Sequence, residues 1–490
     1  PDRGGRIRHD ARGAPMKRCV GIGCVLLMAG CTLQPANVSA TTGAEPRNVI
    51  LFLGDGMGIS TITAARIYAG QLAGATGEEH NLAFDAFPNV ALVKTYNTDF
   101  QVPDSAGTMT ALVTGEKTRR GLLSIASAAK RGDCAAGLKN PLPTLLELAE
   151  TAGYRTGIVT TTTITHATPG AIYAHVVERN WENDSAMPDA AKRAGCRDIA
   201  RQLIEFDRGN GIEVLLGGGR GHFRHSSQAD PEYPDRNGWR SDGRDLVDEW
   251  LAAGSGRSYV WNATQFADLE TTTVEQVLGL FEPSHMQFEA DRSGDAGGEP
   301  SLADMTAFAL ARLAGNGPGY FLTVEGGRID HGHHVGNAYR VLEDTVAFDA
   351  AVAKAVAMTD PANTLILVTA DHSHTLTISG YPRRGNPILG KVEAAPGVPT
   401  LDREGRPYTT LGYANGQGYR ETLPDLREVD TEDPGYKQVA GFPLVIETHA
   451  GEDVAAFAYG LGADKLGGVI EQNRIYDVLF EALFGQPPNR

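Results

Sequence analysis

The chain has 490 residues and carries 44 Lys and Arg against 60 Asp and Glu, a formal charge of −16 that excludes a generic polyanion binder. With 41% apolar and 21% charged residues it is neither a disordered chain nor a polytopic membrane protein. Length alone suggests about three domains, a division that the placement of motifs overrides.

Residues 1–15 are rich in Arg and Gly, have no apolar period and read as sequence upstream of a leader. From Met16 the text is MKRCVGIGCVLLMAGC: two cations, an apolar run too short to span a bilayer, then small residues before Cys31. That is the pattern of an export signal. Leu27 to Cys31 also fits a bacterial lipobox, so the alternatives are lipidation of Cys31 and simple cleavage nearby. Either way the expectation is an exported protein, periplasmic or lipid-anchored at the cell envelope, with membrane attachment only at Cys31. Residues 1–30 carry a net +4, which leaves −20 on the remainder. Residues 31–47 form a small-residue tether. Beyond Cys31 only Cys134 and Cys196 remain, either paired or buried as free thiols.

Short β-rich runs follow at 48–53 (NVILFL), 157–162 (GIVTTT), 213–217 (EVLLG), 320–324 (YFLTV), 364–369 (TLILVT) and 442–448 (FPLVIET), several separated by amphipathic helical stretches. Apolar runs without alternation, spaced by helices, predict an α/β fold with a mostly parallel sheet covered on both faces. Most of these runs end in groups able to bind a metal. Asp55 follows the first, His166 and Thr168 the second, Glu325 with Asp330 and His334 the fourth, Asp371 and His372 the fifth, and His449 the last. Open α/β sheets place their sites at the carboxyl ends of the strands, so these residues can converge on one crevice. Three independent domains could not share them, and residues 48–490 therefore read as one catalytic domain.

Each piece is weak alone. Gly54-Asp55-Gly56-Met57-Gly58 lacks the third glycine spacing of a dinucleotide fingerprint, no phosphate-binding GxxxxGK[ST] occurs, and no nucleic-acid-binding module is apparent. Asp330-His331-Gly332-His333-His334 is stronger, because a spacing of four places Asp330 and His334 on one side of a helical turn. Mixed His and carboxylate ligation suits Zn²⁺, whereas the oxygen set Asp55, Thr168 and Glu325 suits Mg²⁺, so the inventory predicts more than one kind of metal. In VPDSAGTM, Asp104 and Ser105 mark a helix start, either as a plain cap or as a serine placed to ionise beside divalent cations.

The segments NVILFLGDGMGISTITAARIY, VPDSAGTMTALVTG, ITHATPGAIYAHVVERNW, FLTVEGGRIDHGHH, VTADHSH and ETHAGEDVAAFA together resemble the ordered motif set of the alkaline phosphatases, from about Asn48 to the C-terminus. The resemblance implies that family's sandwich fold and the hydrolysis of phosphate monoesters of broad leaving-group range. It makes Ser105 the nucleophile that becomes phosphoserine and Arg179 the phosphate clamp. Asp330, His334 and His449 would hold one zinc, and Asp371, His372 and Asp55 the second. Asp55 would bridge to Mg²⁺, completed by Thr168 and Glu325. His166 and His331, at two variable positions beside the metals, resemble the pairing of the animal enzymes and of certain marine bacterial ones. The resemblance further implies a Cys134–Cys196 disulfide and a Ca²⁺ site of Glu232, Phe281 and Glu282, with Glu299 where the family has Asp. It also implies an inserted crown at about 380–440 that makes a homodimer, Tyr381 reaching to the neighbouring subunit. The rivals are a sulfatase or phosphodiesterase on the same metal scaffold, and a non-catalytic phosphate- or metal-binding protein. Ser105 is followed by AGTM rather than by the Pro and Arg of a sulfatase site, and Thr168 and Glu325 supply the third metal that phosphodiesterase relatives lack.

Overall fold

A computed structural model describes residues 45–269, 273–315 and 317–489. The leader, the lipobox with Cys31 and most of the tether lie outside the described residues.

The run NVILFLG forms β1 (Asn48–Gly54), whose residues Val49 to Leu53 are fully buried. A strand buried on both faces needs covering layers on each side, which is why its apolar residues do not alternate. Seven further strands of the same sheet are β2 (Asn89–Lys94), β3 (Arg155–Thr163), β4 (Val214–Gly218), β5 (Arg257–Val260), β6 (Gln276–Leu280), β7 (Tyr320–Gly326) and β8 (Thr364–Ala370). Strands Val454–Gly460 and Gly468–Glu471 complete ten, in the order 468–471, β2, 454–460, β8, β1, β7, β3, β4, β6, β5. Pairing is parallel from β8 across to β5, and only the 454–460 strand runs antiparallel to its neighbours. The fold is therefore α/β with a mostly parallel central sheet, as the sequence predicts.

One predicted strand is displaced. FPLVIET does not join this sheet: Ala440–Pro443 pairs in a separate three-stranded sheet with Leu376–Ile378 and Leu411–Gly416, Leu444 to Ile446 are exposed, and only His449–Ala450 is extended again. The apolar run that looks like a core strand is thus a surface segment. The Ala-rich VAAFAYG occupies the main sheet instead, beside β8. The strand β2 is also absent from the sequence reading, since Val90 and Leu92 face solvent and dilute the buried pattern.

Register decides the site. Gly54 of β1 pairs with Ala370 of β8 and with Gly326 of β7, while Thr160 of β3 pairs with Glu325. Asp55 and Asp371 thus leave neighbouring strands at one level, with Glu325 one strand further on. The helix Ser105–Thr114 is buried from Ser105 to Val113 and packs against the helices Ala167–Tyr173 and Arg474–Phe484. A left-handed Gly115 at φ 75° ends it. The region 380–440 contributes the middle strand of the three-stranded sheet and a two-stranded ribbon, Glu393–Ala395 with Val398–Pro399. Tyr381 there is 98% exposed with a left-handed φ of 58°.

Cys134 and Cys196 form a disulfide across a separation of 62 residues that encloses Thr168 and Arg179. A loop of that length restrains the unfolded chain by about 2–4 kcal/mol. Replacing both cysteines by serine is expected to lower the calorimetric melting temperature by several degrees, and an unchanged melting temperature would contradict the restraint.

Candidate active site

Four carboxylates crowd the carboxyl ends of β1, β7 and β8. Asp55, Glu325, Asp330 and Asp371 are all at most 4% exposed. Burial, then Asp371, Asp330 and Glu325, push Asp55 well above the usual carboxylate range. Burial likewise raises Glu325 to about 7 and raises Asp371. Asp330 is the exception. Burial opposes its charge, but His334 and His374 hold it well below the ordinary value. Asp371 Oδ1 accepts from the Gly56 and His372 amides and Oδ2 from Thr108 Oγ1, so its orientation is fixed by the β1 turn and by the helix Ser105–Thr114. Gly56 has φ 68° and the space for a Cβ is filled by the His374 ring, so no other residue fits the turn.

The histidines fall into the same crevice. Asp330 lies 3.4 Å from His334 Nε2 and 3.3 Å from His449 Nε2, and those two ring nitrogens are 3.2 Å apart. His372 Nε2 is 3.4 Å from Asp55 Oδ1 and 3.3 Å from Asp371 Oδ2. Burial, then His449, keeps His372 neutral, and burial does the same to His334. Neutral imidazoles facing carboxylates are the protonation state that metal ligation requires. Their other nitrogens are held from outside: His334 Nδ1 by the Glu447 carbonyl and His449 Nδ1 by the Pro103 carbonyl.

The donor atoms test whether cations fit. Asp55 Oδ1, Glu325 Oε1 and His166 Nδ1 are buried with no hydrogen-bond partner, and those three side chains form one group of converging donors. Asp55, Asp371 and His372 form a second, and Asp330 with His372, His374 and His449 a third. Thr168 Oγ1 is 3.5 Å from Asp55 Oδ2, beside the first group. Orphaned anionic oxygens in a buried site are costly unless a cation satisfies them, so the residues present fit metal ions.

Ser105 is the first residue of its helix, and Asp104 caps it through Gly107 N. The same Asp104 side chain accepts from Gly121 N, Asn97 Nδ2 and Arg179 Nη1, the last at 3.1 Å. Burial works against its charge, but Arg179 keeps Asp104 below the ordinary value. Ser105 Oγ is 3.2 Å from His372 Nε2. Since that nitrogen also faces two carboxylates, the contact belongs to the metal-type group rather than to a Ser-His-Asp arrangement, in which the carboxylate would hold the opposite ring nitrogen. Arg179 Nη2 lies 3.3 Å from His166 Nε2, so His166 and Asp104 bracket the guanidinium. His331 bonds Arg328 through Nδ1 and packs against His166 and His285.

Sequence reasoning missed three groups here. His374 stands between Glu447, at 2.5 Å, and Asp330, at 2.6 Å. Burial resists the charge, but the two carboxylates push His374 up to about 10. The DHSH motif contained it, and only the partner Glu447, 73 residues away, reveals its place. His285 joins His166 and His331, with burial and then His166 taking it down to about 3. Asp104 was visible as a cap, but its link to Arg179 was not.

The predicted Ca²⁺ group gains a residue. Glu232 and Glu282 converge with Asp295. Glu299 Oε1 accepts the Gln287 amide while its Oε2 is buried without a partner, and burial, with Glu282 and Asp295 adding to it, raises Glu299 to about 9. The Gly-rich stretch 294–298 loops back so that Gly297 N donates to Glu232, bringing Asp295 inward. Burial raises Glu282 to about 7, and Asp295 Oδ2 is buried without a partner. Phe281 is buried, stacks edge-on with Phe266, and has its backbone at the β6 end beside Glu282.

Asp104, His166, Arg179, Asp330, His331, His334 and His449 line one open cavity of about 650 Å³. The alkaline phosphatase family model matches residues 46–484. The chicken alkaline phosphatase, tissue-nonspecific isozyme, is 46% identical over 454 residues, covering 91% of this chain and 85% of that protein. The Atlantic cod (Gadus morhua) alkaline phosphatase is 44% identical over 451 residues, 90% and 93% of the two chains. Among solved structures, Thermus thermophilus alkaline phosphatase superposes with a TM-score of 0.63 at 26% identity, covering 95% of this chain and 97% of that one. The enzyme from the Antarctic bacterium TAB5 gives 0.62 at 22% identity over 90% and 100%, a likeness of fold. Sequence, fold and the grouping of buried ligands agree, and the chain belongs to the alkaline phosphatase family, enzymes that hydrolyse phosphate monoesters.

Proposed function

We infer that this chain hydrolyses phosphate monoesters through a phosphoserine formed on Ser105. The observation that carries the reading is the single carboxylate of Asp104, which both caps the helix that begins at Ser105 and grips Arg179. Nucleophile and guanidinium are thereby fixed against each other. Zn²⁺ held by Asp330, His334 and His449, a second Zn²⁺ held by Asp55, Asp371 and His372, and Mg²⁺ held by Asp55, Thr168 and Glu325 would supply Lewis-acid charge that favours alkoxide over hydroxyl.

Ser105 Oγ gives its proton to solvent water and attacks phosphorus in line with the ester oxygen; the P–O bond breaks as the P–Oγ bond forms, and the departing alkoxide takes a proton from water to leave as the alcohol. Water then attacks the phosphoserine, returns Ser105 and releases inorganic phosphate. Arg179 has five N–H donors, of which Asp104 and His166 engage only part, so the fork retains donors for two phosphoryl oxygens. The helix N-terminus adds its dipole at Ser105. The cavity is open beyond the reacting groups and leaves room for alcohols of varied size, in keeping with a wide leaving-group range. Converging donors beside Thr168 and Glu325 favour this reading over a two-metal diesterase.

Replacing Ser105 by Ala is expected to lower kcat/KM for 4-nitrophenyl phosphate at least about a thousandfold, with metal content retained; near-full turnover would overturn the nucleophile.

The metal reading has its own signature. Asp55, Asp371 and Glu325 retain protons to higher pH than free carboxylates, Glu325 to about 7. Cations must displace those protons, so affinity rises with pH and falls as pH drops through that region. Titrating chelator-stripped protein with Zn²⁺ and Mg²⁺ should show several-fold weaker binding at about pH 6 than at about pH 8, with protons released, and activity restored on readdition. Equal affinity at both values would contradict the assignment.

We further assign Ca²⁺ to Glu232, Glu282 and Asp295, a hard-oxygen set. Adding Ca²⁺ is expected to raise the melting temperature of the parent and of Glu299→Gln, but not of Asp295→Ala; a shift that survives the Asp295 change would rule this set out. A homodimer through 380–440 and export, with either lipidation of Cys31 or cleavage nearby, complete the reading.

A further inference from the structure

The cavity has an upper rim that the reaction as described leaves idle. Phe100, Val102 and Ile446 line it and are 46%, 42% and 50% exposed. Three arginines line the same cavity. Arg179 is bound to Asp104, and Arg131 is paired through two nitrogens with Glu178 at 2.7 and 2.6 Å. Arg120 is different. It is exposed, and among the described residues its guanidinium has neither a carboxylate within ion-pair distance nor a hydrogen-bond acceptor. The neighbouring Asp99 accepts the Arg120 backbone N–H and faces Arg119 at 3.9 Å rather than the Arg120 side chain.

Arg120 is nevertheless held. Its Cζ lies 5.1 Å from the centroid of the Phe100 ring, a cation–π placement that keeps the guanidinium at the rim instead of in bulk water. A planar cation lying on an aromatic face keeps its edge N–H groups free to chelate an anion. The metal-type donors and Arg179 form the cavity floor, so a group meeting Arg120 belongs to the part of the ester beyond the phosphorus.

We propose that Arg120, seated on Phe100, is a specificity-determining subsite for the leaving group, selecting phosphate monoesters whose alcohol portion carries a second anionic group on an aromatic or apolar frame. Phe100, Val102 and Ile446 cover the frame and Arg120 pairs with the anion. The proposal deepens the monoesterase reading and rests on it. An exposed ion pair is weak, so the selectivity is modest and falls with ionic strength.

The test compares 4-carboxyphenyl phosphate with its neutral counterpart 4-carbamoylphenyl phosphate, using the metal-loaded full chain. The two esters differ in leaving-group acidity, so the informative quantity is the change in their kcat/KM ratio between variants. Arg120→Gln is expected to lower the ratio of carboxylate to carbamoyl ester about fivefold, through KM. Arg120→Lys should restore part of it, Arg120→Glu should lower it further, and added salt should shrink the parent's ratio alone. A ratio that is the same in parent, Gln and Glu variants overturns the proposal, as does an equal fall on both esters. Failure of the parent to hydrolyse either ester would instead sink the monoesterase reading, so the two failures are distinguishable.

Discussion

The structure is organised around anions that cannot satisfy one another. Asp55, Glu325 and Asp371 come from three adjacent parallel strands, are nearly or wholly buried, and repel each other's charge. Among the described residues no cationic side chain stands between them. Arg179 acts at longer range, and His374, made strongly basic by its two carboxylates, is already shared by Asp330 and Glu447. A folded state that keeps such groups dry has two options, to hold protons or to hold metal ions. The upward shifts of Asp55, Glu325 and Asp371 are the mark of the first. The orphaned Asp55 Oδ1, Glu325 Oε1 and His166 Nδ1 show that the cage is shaped for the second.

That constraint explains why the sheet must be parallel across its centre. Parallel strands bring equivalent carboxyl ends to one edge, so short turns after β1 and β8 and the last residues of β7 deliver oxygens to the same level without long loops. The antiparallel 454–460 strand has another use. It lies against β8 and is led in by the short segment that carries His449, which pairs with His374 across a two-residue bridge. Thus the histidine farthest along the chain reaches the Asp330 group from the side.

Much of this was legible in the sequence because the signal is local. Unbroken apolar runs identify β1, β3, β4, β7 and β8, and the polar residues after all of these but β4 identify the site edge. What escaped the sequence is relational. FPLVIET has the composition of a core strand, yet its apolar residues lie on the surface, and hydropathy cannot tell a rim from a core. Glu299 and Asp295 are both acids beside a Gly-rich stretch, and only the path taken by residues 294–298 decides that Asp295 joins Glu232 and Glu282. His374 and Glu447 are far apart in sequence, so their pairing required the three-dimensional fold.

The site divides into parts of different mechanical character. Its floor is over-determined: Asp104 has four donors, Asp371 is held by two amides and a threonine, and His334, His449 and His374 are anchored by backbone carbonyls or a carboxylate. Such groups do not relax when substrate arrives, so the field they impose on phosphorus is set before binding. The rim is under-determined, with Phe100, Val102 and Ile446 half exposed and Arg120 held only by an aromatic face. A rigid floor tolerates no substitution without loss of the shared reaction, whereas a rim residue can change without disturbing any metal-type group. Chemistry common to the family and selectivity particular to this chain are therefore free to vary separately, and the boundary between them lies between Arg179 and Arg120.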